Sequence, residues 1–145
     1  MTRVPTFGVR QDHLAYVVRP AAYAVIIDER SRVACVAEQS GLFLPGGGIE
    51  GGEDPVRAVH REVAEECARE FEIIMRLEPA VQYFRTTKGE AYELQASFFL
   101  GRFGAALPHT GEHELSWLPV SPRLPAFYHE CHEWAVRQAV HRTVT

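Results

Sequence analysis

The sequence predicts an α/β protein of the α+β kind, with a sheet layered between two helices as an α/β/α sandwich. Three observations predict it. Segments rich in β-branched and aromatic residues flank one amphipathic helical pattern, and a second helical pattern lies near the end of the sequence. The 145 residues, 46% of them apolar, suit one globular domain over 1–145 rather than two.

His13 to Arg19 (HLAYVVR) and Ala21 to Asp28 (AAYAVIID) read as two strands divided by Pro20, which has no N–H for a ladder. Asp28-Glu29-Arg30-Ser31 supplies turn chemistry before Val33 to Ala37, so a hairpin is expected there, and Leu42 to Leu44 adds a short strand. Pro45 to Asp54 (PGGGIEGGED) holds five glycines in ten residues, the composition of a backbone that turns sharply or meets a ligand closely. Asp54 is a good N-cap and Pro55 a good first helical residue. Val56, Val59, Val63 and Cys67 then recur at helical spacing, which predicts a helix from about Pro55 to Ala68. Strands are expected at Phe71 to Leu77, Ala80 to Thr86 and Ala91 to Phe103, the last two joined by a turn at Thr87-Lys88-Gly89-Glu90. A short strand at Glu114 to Val120 leads through a Pro-punctuated link to a last helix, whose Phe127, Cys131, Trp134 and Ala135 form one apolar stripe.

Composition excludes several classes of function. Nineteen acidic residues against 15 basic ones give a formal charge of −4, and no Lys or Arg run is present, so polymeric nucleic acid is not an expected partner. Cys35, Cys67 and Cys131 are odd in number and lack a CxxC pair, which fits neither a disulfide framework nor a structural zinc site and points to a reducing cytoplasm. No signal peptide or membrane-spanning apolar run is read, so no membrane role is expected. His129, Cys131, His132 and Glu133 cluster in YHECHEW without HExxH spacing, and Cys131 belongs to the apolar stripe, so metal binding is not assigned there. Tyr16, Tyr23, Tyr83, Phe84, Phe98 and Phe99 alternate in strands as core residues do, with room for one to stack on a nucleobase.

The chemistry concentrates on the first helix. Glu62, Glu65 and Glu66 stand at i, i+3 and i+4, which places three carboxylates on one face. The plain alternative is a solvated face knitted by ion pairs, since Glu65 lies four residues from both Arg61 and Arg69. Three features weigh against it. Glu62 and Glu66 are like charges at i, i+4; Glu65 and Glu66 sit where the helix dipole disfavours anions; and a glycine-rich loop precedes the helix. An all-oxygen donor set suits Mg²⁺, with Mn²⁺ as a substitute, and Mg²⁺ commonly arrives with phosphate.

These residues resemble the Nudix hydrolase superfamily of the MutT-like kind. The family box reads Gly, five residues, Glu, seven residues, Arg-Glu, an aliphatic, any residue, Glu-Glu, any residue, Gly, an aliphatic. Over 47–69, Gly47, Glu53, Arg61, Glu62, Val63, Glu65 and Glu66 match it, preceded by Leu44-Pro45-Gly46; the departures are Ala68 for the second Gly and Arg69 for the last aliphatic. The resemblance implies a mixed-sheet sandwich. It also implies metal binding by Glu62, Glu65 and Glu66, with the Gly46 carbonyl as a further ligand, while Glu53 would brace the loop or bind metal through water. Arg61 would orient a catalytic glutamate, and the general base would be Glu62 or a later loop carboxylate, Glu112 or Glu114. Family members often carry Arg or Lys late in the strand before the glycine loop, where Glu38-Gln39 stand here; Arg10, Arg19, Arg85 and Lys88 are the cations available instead.

The expected activity is Mg²⁺-dependent hydrolysis of a diphosphate linkage in a small-molecule nucleoside diphosphate derivative, of the nucleoside triphosphate or oxidised nucleotide pyrophosphohydrolase type. An ADP-sugar or dinucleoside polyphosphate is the alternative substrate. A Nudix-like ligand-sensing module without turnover predicts loss of helix glutamates, and all three are present. Monomer and homodimer are both compatible with the sequence.

Overall fold

The computed structural model describes residues 3–144. Its strands are β1 (Thr6–Phe7), β2 (Tyr16–Ile26), β3 (Arg32–Glu38), β4 (Gly41–Phe43), β5 (Gly46–Gly48), β6 (Arg69–Arg76), β7 (Ala80–Arg85), β8 (Ala91–Ala106) and β9 (Leu115–Pro119); its helices are α1 (Pro55–Cys67) and α2 (Glu130–Val144). The main sheet runs β1-β7-β8-β2-β5, with β6 also on β8. It is mixed: β2 lies parallel to β8 and β1 to β7, while β5, β6 and β7 pair antiparallel. Strand β8 is long enough to carry β7 on its first half and β6 on its second.

Alternation along β2 makes the sandwich. Ala21, Tyr23 and Val25 pack with Cys131, Ala135, Val136 and Ala139 of α2. Ala22, Ala24 and Ile26 pack with Ala58, Val59 and Val63 of α1. Small residues on β2 let both helices approach, and the two cores are the outer halves of an α/β/α arrangement.

Four expectations are corrected. The strands expected on either side of Pro20 are one strand, and His13 to Ala15 lie outside it. Pro20 is tolerated because its carbonyl accepts from the Ile49 N–H (3.0 Å), so the N–H it lacks would face the same edge, where the β2–β5 ladder has ended. The expected hairpin after Ala21 to Asp28 reduces to one bridge, Ile27 to Val33. There Asp28 accepts from the Arg30 and Arg32 N–H groups and the chain leaves for a second sheet, β4-β3-β9. The glycine stretch expected to be all loop begins as β5, paired with residues 21–23 of β2. Phe127, expected in the last helix, precedes it.

Helix α1 starts as its sequence requires, with Asp54 accepting from the Arg57 N–H (2.8 Å) and Pro55 in the first turn. It stops at Ala68, which adopts the left-handed conformation (φ 53°) and donates its N–H to Ala64 O (3.0 Å). The two departures from the box thus have local accounts. Ala68 holds the left-handed position that glycine fills without strain. Arg69 donates to Gly104 O (2.7 and 3.1 Å) and lies over the Phe103 ring, a cation that ties β6 to β8 where an aliphatic would only pack.

Candidate active site

The glycine segment and α1 meet at two close approaches. Gly46 has φ 148°, and a Cβ there would lie 2.3 Å from Ala22 O, so neither backbone nor space admits a side chain. Its N–H donates to Glu66 Oε1 (2.7 Å). A Cβ on Gly47 would stand 2.9 Å from Glu62 Oε1, so that carboxylate occupies the space the glycine leaves. Loop and helix are therefore built against each other through two of the three glutamates.

Arg61 organises the rest. It donates to both oxygens of Glu53 (2.7 and 3.0 Å), to Gly48 O (3.0 Å), to Glu62 Oε1 (3.1 Å) and to Glu65 Oε2 (3.2 Å). Such a planar fork fits several carboxylates at once, and lysine cannot reproduce it. Glu53 is held down to about 2 by its hydrogen bonds from Arg61, and it also accepts from the Glu50 N–H, so it braces the loop. Glu66 behaves oppositely. Only 4% exposed, it is pushed up to about 8 by burial, against the Gly46 N–H and with the charges of Glu62, Glu38 and Glu112 adding to the rise. Burial also raises Glu62, despite Arg61.

The far end of α1 is capped by the segment after β8. Leu107 N–H donates to Ala68 O, Glu112 N–H to Glu65 O and His113 N–H to Glu66 O, while a His109 ring nitrogen lies 2.8 Å from Ala64 O. The three N–H groups satisfy carbonyls that the helix end leaves unpaired, while the His109 contact adds to an Ala64 carbonyl that already accepts from Ala68 N–H. Gly111 lies so close that a Cβ would stand 2.3 Å from Glu66 O. His113 Nε2 consequently faces Glu66 Oε2 at 3.5 Å and Glu38 Oε1 at 4.0 Å.

All of this opens on a cavity of about 920 Å³. The structure brings Gly46, Arg61, Glu62, Glu65, Glu66 and Glu112 to its wall. Glu53 stands behind Arg61 and outside the wall, and Glu114 is exposed and does not line it. Of the four candidate cations, Arg19 and Lys88 line the cavity, Arg19 lying over the Tyr92 ring at 4.1 Å, whereas Arg10 pairs with Asp12 and Arg85 stays off the wall. Of the candidate aromatics, Tyr23 and Phe84 line it. Phe43, Tyr128, His129 and His113 also line it and were not foreseen. Nothing local in the sequence marks Phe43 or Tyr128, and His129 stands out only within the YHECHEW cluster, where no role is assigned to it. They meet because Tyr128 N–H donates to Leu42 O, Leu44 N–H to His132 Nδ1 and Cys131 N–H to Gln82 Oε1, which pins the start of α2 between β4 and β7.

Among the described residues no three His, Cys, Asp or Glu side chains are gathered closely enough to hold an ion by themselves. Arg61 engages Glu62 and Glu65, and the Gly46 N–H engages one oxygen of Glu66. The donor chemistry still fits a hard divalent cation: three carboxylates from one helix face line the cavity, and Glu66 is a buried acid with no Lys or Arg partner among the described residues. The three cysteines are free, and no helix among the described residues is long and apolar enough to cross a membrane.

Comparison with known proteins agrees with this geometry. No curated protein matches the sequence significantly. Similar folds include a NUDIX hydrolase from Nitrosomonas europaea (19% identity, TM-score 0.64, 87% of this chain and 90% of that one). A MutT NUDIX hydrolase from Burkholderia pseudomallei is 24% identical (TM-score 0.62; 84% and 98% covered). An ADP-ribose pyrophosphatase from Streptococcus suis 89-1591 is 16% identical (TM-score 0.64; 88% and 92% covered). The NUDIX domain family model matches residues 17–142, nearly the full length of the sandwich with the glutamate helix at its centre, and the chain belongs to that family of hydrolases.

Proposed function

We propose that this protein hydrolyses a diphosphate linkage in a nucleoside diphosphate derivative with Mg²⁺, or Mn²⁺ in its place. The observation that carries the reading is the convergence of Glu62, Glu65 and buried Glu66 on one cavity wall, backed by Gly46 and Gly47. When bound, divalent ions there would neutralise diphosphate charge and make a water molecule a better nucleophile. Glu62, Glu65 and Glu66 are the side chains that would hold them, with the Gly46 carbonyl as a further ligand and substrate and water completing each shell.

The chain's own residues do the rest. Arg61, locked by Glu53 and Gly48 O, fixes the rotamers of Glu62 and Glu65 before substrate arrives, so little ordering is left to the reaction. The proton of the attacking water passes to a carboxylate, either Glu62 or Glu112; Glu112 is carried to the wall by its N–H on Glu65 O. Arg19 and Lys88 are placed to meet phosphate oxygens that reach across the cavity. Structural neighbours bear names as different as MutT hydrolase and ADP-ribose pyrophosphatase, and substrate choice in such folds lies outside the shared helix. The three free cysteines accord with a reducing, cytoplasmic setting.

The test is a panel of nucleoside triphosphates, ADP-sugars and dinucleoside polyphosphates with Mg²⁺ or Mn²⁺, read by product chromatography. Glu65→Gln and Glu66→Gln serve as controls. Turnover that both substitutions reduce by roughly 10²-fold or more supports the reading. No turnover on any substrate, or full activity in both variants, overturns it.

A further inference from the structure

The cavity has a second pole. Opposite in character to the glutamate wall, it is built from Phe43, Phe84 and Tyr128 around His129. The His129 ring stands edge to face with Phe84 (4.6 Å between centroids), Tyr128 (4.9 Å) and Phe43 (5.6 Å), and the residue is only 5% exposed. A buried imidazole ordinarily finds a protein partner, as His132 does through Nδ1 to the Leu44 N–H (3.2 Å). Among the described residues neither ring nitrogen of His129 makes a hydrogen bond, and neither is sealed from the cavity, in contrast to Nε2 of His132, which is enclosed without a partner. Burial pushes the His129 imidazolium down to about 4, so the ring is neutral at pH 7, with one nitrogen donating and the other accepting.

We propose that this pole is the subsite for the planar heterocycle of the substrate, and that His129 is a specificity-determining residue that hydrogen-bonds the heterocycle's edge while Phe43, Phe84 and Tyr128 contact its faces. The inference rests on the proposed diphosphate activity only for the other half of the ligand. One cavity joins a polar wall suited to charged phosphates to an aromatic wall with one unused donor and one unused acceptor, and a nucleotide has those two ends. A sugar phosphate lacks the flat π-face that three aromatic rings recognise, and a purely apolar group would leave the imidazole nitrogens unpaired.

The experiment measures binding without turnover. Nucleoside 5′-monophosphates bearing adenine, guanine, cytosine and uracil, with ribose 5-phosphate as the base-free control, are titrated calorimetrically into the full chain. Wild type is compared with His129→Phe, His129→Asn and Tyr128→Leu, each checked by thermal unfolding. At least one monophosphate is expected to bind on the order of tenfold or more tighter than ribose 5-phosphate. His129→Phe should erase most of that preference while leaving ribose 5-phosphate unchanged, and His129→Asn, which keeps a donor and an acceptor, should restore part of it. Tyr128→Leu, at a residue 38% exposed, keeps the test decisive if the buried site tolerates no change, and should also narrow the preference. Equal affinity of wild type for ribose 5-phosphate and every monophosphate, or an undiminished preference in His129→Phe or in Tyr128→Leu, overturns the proposal. Because no product is measured, an enzyme inactive on the whole substrate panel yet selective for a monophosphate would sink the hydrolase reading and leave this subsite standing.

Discussion

Replacing Ala68 by Gly should stabilise the protein. Ala68 ends α1 in the left-handed conformation (φ 53°, ψ 42°), where its Cβ crowds the following carbonyl. That conformation costs an L-residue roughly 1–2 kcal/mol, and glycine nothing. Against this, glycine gives the unfolded chain more freedom, which costs about 0.4–1 kcal/mol, and the half-buried methyl is lost, about 0.4 kcal/mol more. The balance favours Gly by roughly 0.5 kcal/mol, equivalent to a rise in Tm of about 1–2 °C for a chain of this size.

Urea unfolding resolves such a difference: the midpoint should move up at constant m. Ala68→Val supplies the opposite sign, because a β-branched side chain is still less tolerant of positive φ and should lower stability by about 1 kcal/mol or more. A lower midpoint for Ala68→Gly, or a Val variant as stable as wild type, would refute the claim that backbone strain resides at this helix end. The Ala64 O contact is made by the backbone N–H and survives either change, so loss of the cap cannot explain the result.

The adjacent glycines should separate folding from chemistry. Gly46→Ala drives a Cβ into Ala22 O at positive φ and is expected to cost roughly 2–3 kcal/mol in thermal or urea unfolding. The nearest atoms that Gly47→Ala meets are those of the Glu62 side-chain carboxylate rather than backbone, so Tm should hold while kcat falls on the order of 10²-fold through displacement of that group from Arg61. Arg61→Lys keeps the charge and loses the fork across Glu53, Glu62, Glu65 and Gly48 O; a fall of about tenfold or more in kcat/KM, with far-UV circular dichroism unchanged, is expected. Acid should weaken the fold through His129. At this residue the unfolded chain takes a proton below about 6.5 and the folded one only near 4, so the contribution of His129 falls as pH drops across that window, by at most about 3 kcal/mol and against the opposite contribution of Glu66, and the difference between wild type and His129→Phe in urea titrations at pH 4–7 should show it.

Helix α1 was legible because its signals are local: Asp54 caps three residues ahead, Val59 and Val63 recur one turn apart, and the box sits in one register. Strand β5 was not, since three glycines carry no strand propensity, and its approach to Ala22 and Tyr23 of β2 depends on the absence of a Cβ at Gly46. Strand β1 is two residues long and exists only beside β7. The division into two sheets was equally hidden, because Val33 to Ala37 reads the same whether it pairs with the strand before it or with residues 115–119, far along the chain. At the site, the glutamate wall could be read from helical spacing, whereas the aromatic wall joins Phe43, Phe84 and Tyr128 across 85 residues of sequence, and only the hydrogen bonds that pin α2 to β4 and β7 bring it together.

Spacing alone also makes the glutamates of the box look interchangeable, and the fold makes them different acids. Glu53, in the fork of Arg61 and under the Glu50 N–H, is ionised under all ordinary conditions, so its work is to hold a cation in place. Glu66 receives one backbone N–H, is shut from water and faces the charges of Glu62, Glu38 and Glu112, so its ionised form calls for a positive partner that the described residues supply only through His113 at 3.5 Å. Glu62 lies between these extremes, sharing Arg61 with Glu53 and Glu65 while burial pulls it the other way. A solvated ion-paired face would have no reason to bury one of its carboxylates against a glycine and cap its carbonyls with a distant segment. The asymmetry among these residues, more than their number, supports the proposed binding of a cation at this wall.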